Sequence, residues 1–107
     1  MQEKIKDINW VLAPYPVDES FVKLEIDEEF IGRYTGSKPN PNFKDDLIHV
    51  FEDINGDIKQ INGTTNLDRW ISVIDPGNMV KIRRFKDKII GQPKPLQVYK
   101  VWIQEEP

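Results

Sequence analysis

The stretch Ile61-Asn62-Gly63-Thr64-Thr65-Asn66-Leu67-Asp68-Arg69-Trp70-Ile71-Ser72-Val73-Ile74-Asp75-Pro76-Gly77-Asn78 is where the period of the sequence changes. Leu67, Trp70, Ile71 and Ile74 stand at i, i+3, i+4 and i+7, the apolar stripe of a short helix, and Trp70 is expected in the core with the rest of that stripe. Thr65, three residues before Asp68, has the spacing of a capping arrangement in which a hydroxyl reaches the exposed amides of the first turn. Pro76-Gly77 stops the helix.

On either side the period is two. Upstream, Val22, Leu24 and Ile26 alternate with Lys23, Glu25 and Asp27, and the pattern resumes through Phe30, Ile31, Gly32, Arg33 and Tyr34. This predicts one long first strand from Ser20, bent or bulged at Glu28-Glu29 and at Gly32. The turn formers Gly36 to Asn42 make a loop. Leu47 to Glu52 is a second strand, Asn55-Gly56-Asp57 a hairpin turn, and Ile58 to Ile61 its return. Downstream, Met79 to Phe85 and Gln97 to Ile103 read as two more strands, separated by a loop with Gly91, Pro93 and Pro95. Residues 1–19 read as a leader, with Pro14 and Pro16 favouring an extended path, and residues 20–107 as the domain.

Three strands, a short helix and two strands is the element order of an OB-fold, a mainly β, five-stranded, partly open barrel. An SH3-like barrel has too little helix at that point, and a ubiquitin-like roll places its helix after the second strand.

The chain has 107 residues, enough for one domain. Its 38% hydrophobic and 31% charged residues are ordinary for a soluble globular protein, and no apolar run is long enough to span a membrane. Met1 to Trp10 lacks a signal-peptide core, so a cytoplasmic location is expected. With no cysteine and the single histidine His49, thiolate zinc sites, cysteine nucleophiles and multi-histidine metal sites are excluded. The acidic runs Asp27-Glu28-Glu29 and Asp45-Asp46 lack the spaced ligands of a calcium loop, and the six glycines are scattered rather than gathered into a phosphate cradle. Neither an enzymatic activity nor a cofactor is expected.

The net charge of −3 is unevenly distributed. Met1 to Asn78 carries 8 Lys or Arg against 15 Asp or Glu, whereas Met79 to Lys100 carries 7 against the single Asp87. A segregated basic stretch can make a local positive surface whatever the total.

The segment Ile58 to Ile103 resembles phage-encoded OB-fold single-stranded DNA-binding proteins. The likeness lies in Ile61 to Asp68 leading into the helix, in Asp75-Pro76-Gly77-Asn78 before a Val-Lys-Ile strand, and in Tyr99-Lys100-Val101. Ile31 to Lys38 is similar to that group's first strand and loop. Better-known members end in a long acidic tail that recruits replication partners, and here Glu105-Glu106-Pro107 is only a stub. The resemblance implies a host-cell setting and a role in phage replication or recombination.

An OB-fold binds single strands on the face of its second and third strands and between the loops after strands one and four, by stacking bases on aromatic rings and following phosphates with Lys or Arg. Trp102 and Phe85 fall opposite the inferred core residues of their strands and are the aromatics expected outside, unless they pack on the leader. His49 and Phe51 share a face with Leu47 and form a stacking platform if that face is outward, or core if the register slips by one. Arg33 and Tyr34 stand at the end of strand one. Lys81, Arg83, Arg84, Lys86, Lys88 and Lys94 are the basic candidates, with Lys38 and Lys44 on the opposite loop and Lys59 and Lys100 on strands three and five. The leading expectation is non-catalytic binding of single-stranded DNA, with RNA as the other nucleic acid. The alternative is a protein-binding module that blocks or scaffolds a host protein. No membrane partner is expected, and the sequence gives no oligomeric state.

Overall fold

A computed structural model describes residues 9–13, 18–89, 91 and 94–105. Most of the leader, including Pro14 to Pro16, lies outside the described residues, as do Pro93 and Glu106. Five strands and one short helix follow in the order β1 (Glu29–Pro39), β2 (Leu47–Asp53), β3 (Ile58–Asn62), α1 (Thr65–Ile71), β4 (Met79–Lys88) and β5 (Leu96–Ile103). All five strands form one antiparallel sheet in the order β3-β2-β1-β4-β5. The edge strands β3 and β5 are not paired with each other, so the sheet is open. No helix among the described residues is long and apolar enough to cross a membrane.

The first strand begins at Glu29 and not at Ser20. Asp27 has a φ of 72°, a left-handed conformation that breaks an extended run, and the Glu28 amide turns back onto the Glu25 carbonyl. The alternating residues before that turn serve a different purpose. Phe21 bridges Gln60 of β3 in parallel, with the Val22 amide donating to the Gln60 carbonyl and the Gln60 amide to the Ser20 carbonyl, both at 2.8 Å. Beyond the turn the Asp27 amide donates to the Arg84 carbonyl on β4. Residues 20–28 therefore cross from the β3 edge to β4, and Leu24 enters the core on the way.

The core fills the inner side of the sheet, where Phe51 lies edge-on to Phe30 (5.3 Å between centroids) and beside Tyr34 (5.7 Å). Val80 and Ile82 from β4 and Tyr99 and Val101 from β5 join them. The helix contributes Leu67 and Ile71, and Ile74 follows just past its end. Its N-cap is Thr64, one residue before the expected position, with Oγ1 accepting from the Leu67 amide. Trp70 is a second correction: it is 38% exposed. The helix ends at Ile71, so the buried face is the Leu67–Ile71 line and Trp70 lies on its flank.

A bulge in β1 sets the inner face. The pairing of β1 with β2 shifts between Tyr34 and Gly36, so Tyr34 pairs with Phe51 while Ser37 pairs with His49. The extra residue, Thr35, lets two side chains three positions apart face the same side, which an unbroken strand forbids. Tyr34 Oη and Ser37 Oγ are hydrogen bonded, Ser37 Oγ lies 2.6 Å from His49 Nδ1, and His49 Nε2 lies 2.6 Å from Asp68 Oδ1 on the helix. Because a carboxylate only accepts, Nε2 carries a proton, and a neutral imidazole then accepts the Ser37 hydroxyl proton at Nδ1. Both ring nitrogens of the fully buried His49 are thus satisfied.

Gly63 permits that contact. A Cβ placed there would lie 1.9 Å from Asp68 Oδ1 and 2.7 Å from the Leu47 carbonyl oxygen. Gly63→Ala is expected to lower the unfolding free energy by about 2–4 kcal/mol, through overpacking and a buried imidazole deprived of its acceptor. Urea denaturation measures it, and a change under about 0.5 kcal/mol would contradict the assignment.

Candidate nucleic-acid interface

On the side of the sheet away from the core, β1, β4 and β5 present one continuous surface. Cross-strand pairing places Ile31, Lys81 and Trp102 in one row, Glu29, Arg83 and Lys100 in the next, and Phe85 with Val98 beyond. Alternation along each strand explains the arrangement: Val80, Ile82, Tyr99 and Val101 point into the core, so their neighbours point out. Trp102 is 42% exposed and Ile31 is 48% exposed.

The cations sit on the rings. Lys81 Nζ lies 4.8 Å from the centroid of the Trp102 ring, while the Arg83 guanidinium and Lys100 Nζ lie 5.3 and 5.2 Å from that of Phe85. Such contacts at exposed sites are worth about 0.5–1 kcal/mol each, weak enough for a ligand to displace. Arg83 also pairs with Asp27 at 3.6 Å and Glu29 at 3.5 Å. Among the described residues Lys81 and Lys100 make no ion pair. Four cations (Arg33, Lys81, Arg83, Lys100) thus stand on this surface against three carboxylates, Asp27, Glu29 and the Glu52 of β2 that pairs across from Arg33. It is positive although the whole chain is acidic.

The sequence-predicted residues divide into those on this surface and those elsewhere. Arg33, Lys81, Arg83, Phe85, Lys100 and Trp102 are brought together on it, with Arg33 Nη1 donating to the Gly77 carbonyl at one end. Lys86 and Lys88 are exposed farther along β4, and Lys94 follows near the start of β5. Lys38 and Lys44 are exposed at and after the end of β1, and Lys59 is half-buried on β3, remote from the others. Arg84 points inward, its Nη1 donating to the Leu24 carbonyl (2.9 Å) and its Nη2 pairing with Asp87 (3.1 Å), so it is not presented to a phosphate.

Tyr34, His49 and Phe51 require correction. Their shared face is the inner one: Phe51 and His49 are fully buried and Tyr34 is 6% exposed. Leu47, His49 and Phe51 alternate as expected, but the sheet turns that side toward the helix, and no base can reach it. Sequence reading missed Ile31 and Phe43. Ile31 lies on the outer surface because the strand's phase is set by Tyr34 pointing in. Phe43, 59% exposed in the loop after β1, was legible as a lone aromatic in a run of turn formers. With Phe21, Leu24, Ile61, Lys94 and Tyr99 it lines an open cavity of about 440 Å³ between β3 and β5.

Ser37, His49 and Asp68 are the residue types of a hydrolase triad and are hydrogen bonded in series. The imidazole is sealed in the core, whereas Ser37 is exposed and its Oγ also meets the Tyr34 hydroxyl. Ser37 is also not among the residues lining the cavity. Among the described residues no cluster of three His, Asp or Glu side chains could hold a metal.

The network does make stability depend on pH. Burial holds the His49 imidazole below its ordinary pKa of 6.5, against the opposing pull of the Asp68 carboxylate. The unfolded chain therefore binds a proton first as pH falls through 6.5, and the folded state loses stability below that value. Urea midpoints between about pH 7.5 and 5 should fall in the parent protein and stay nearly level in His49→Gln, which leaves no histidine to titrate. Parallel curves would contradict the account.

No protein-family model, curated protein or solved structure matches this chain.

Proposed function

We propose that this chain binds single-stranded DNA without catalysis and with little sequence preference, using the outer surface of β4 and β5. The observation that carries the reading is the interleaving there of two rings, the exposed Trp102 and the half-buried Phe85, with Lys81, Arg83 and Lys100. A base stacked on an aromatic contributes about 1–3 kcal/mol, more than the cation it displaces, and the displaced cation is then available to a phosphate. Lack of sequence preference follows from the same chemistry, because every base has a π-face. The sheet is read as an OB-type barrel left open between β3 and β5. Two features support this: the order β3-β2-β1-β4-β5 would close by joining those two strands, and residues 20–28 already bridge from β3 to β4. RNA shares the chemistry and is the other nucleic acid to test. Protection of strands in replication or recombination is the role that fits.

A protein-binding module is the second reading. It draws on Trp10, Val11 and Leu12, which are 82%, 89% and 94% exposed and form an apolar run that a partner would cover.

Titration of a fluorescently labelled dT12 oligonucleotide at several salt concentrations tests the first reading. Trp102→Ala should weaken binding by about 1–3 kcal/mol. Each phosphate contact contributes about −0.7 to the slope of log K against log salt, so the Lys81→Ala/Lys100→Ala double variant should flatten that slope by about 1.4. No binding at low salt would reject the reading and favour the protein partner.

A further inference from the structure

The spacing of the two rings defines what they can hold at once. Trp102 stands opposite Lys81, and Phe85 lies four residues farther along β4. Four residues at ~3.3 Å each and one strand spacing of ~4.8 Å put their backbone positions about 14 Å apart. Stacked nucleotides rise only ~3.4 Å per step, so neighbouring bases of a helical strand cannot reach both rings. An unstacked strand, drawn out to about twice that rise, covers the distance in two steps. The Arg83–Lys100 pair lies midway, two residues from each ring along the strands.

We infer that the β4–β5 surface is a three-nucleotide site for extended single strands. One terminal base stacks on Trp102, the other on Phe85, the central base stays unstacked, and the two intervening phosphodiesters lie beside Arg83 and Lys100. The inference rests on the nucleic-acid reading above and adds to it a length, a strand conformation and a role for each side chain. It explains why both rings carry a cation: Lys81 shields Trp102, while Arg83 and Lys100 shield Phe85 until phosphates draw them away. It also makes duplex a poor ligand, since paired strands hold their bases at the stacked rise. Charge complementarity favours a polyanion here. Lys81 and Lys100 have no carboxylate partner among the described residues, and the two carboxylates answering Arg83 are exposed.

The test compares dT2, dT3, dT4 and dT12 by 15N chemical-shift titration of the Trp102 indole N–H, a method that reads millimolar affinities. The parent protein should bind dT3 at least about tenfold more tightly than dT2, one stacked base being worth that much, and dT4 should add little. Phe85→Ala should erase the advantage of dT3 while leaving dT2 within about twofold, and Phe85→Tyr, which keeps a ring, should restore it. The footprint is overturned, and strand binding is not, if dT12 binds while dT2 and dT3 bind alike. It is likewise overturned if Phe85→Ala weakens dT2 as much as dT3. If no length binds, dT12 included, both the footprint and the nucleic-acid reading fail.

Discussion

A buried imidazole needs partners on both nitrogens, and meeting that need at His49 organises the molecule. Ser37 reaches Nδ1 only because the bulge at Thr35 rephases β1, and Asp68 reaches Nε2 only because Gly63 has no side chain. The first contact fixes how β1 registers on β2; the second fixes the helix beside the end of β3. From the docked helix, Asn66 Oδ1 accepts the Tyr99 amide at 2.7 Å, on the edge of β5 that β4 leaves unpaired. That contact ties the helix to β5, whose Tyr99 and Val101 pack in the core while Lys100 and Trp102 face outward.

Charge is organised on the same plan. The acidic residues of the first half are not spread against the basic strands as a general neutraliser. Asp27 and Glu29 answer Arg83, and Asp87 answers Arg84, whereas Lys81 and Lys100 are answered by rings. Exposed ion pairs of this kind are worth about 0–1 kcal/mol, so they orient Arg83 more than they hold it. A net charge of −3 and a local polyanion-binding surface are therefore compatible.

Much of the fold was legible because its signals are local. The period-two runs at Leu47–Glu52 and Met79–Phe85 and the Asn55-Gly56-Asp57 turn each depend on a few adjacent residues, and each marks an element that is present, whereas the helix ends at Ile71, ahead of the expected stop at Pro76-Gly77. The first strand misled because Val22, Leu24 and Ile26 alternate as well as any β-strand. Only the left-handed Asp27 and the hydrogen bonds to Gln60 divide that segment from β1, and neither has a sequence signature. The outward placement of Phe85 and Trp102 was readable from alternation within their strands. The face taken by His49 and Phe51 was not, because alternation groups residues without saying which group meets the core. The deciding fact was the pairing of His49 with Ser37 and Asp68, twelve and nineteen residues away.

Lysine footprinting tests the central claim most directly. The protein is acetylated with and without saturating dT12, and the modification of each lysine is read by mass spectrometry. Protection of Lys81 and Lys100, with Lys23, Lys44 and Lys94 unchanged, is the predicted result. Protection confined to Lys44 and Lys94 would move the ligand to the cavity between β3 and β5 and contradict the account.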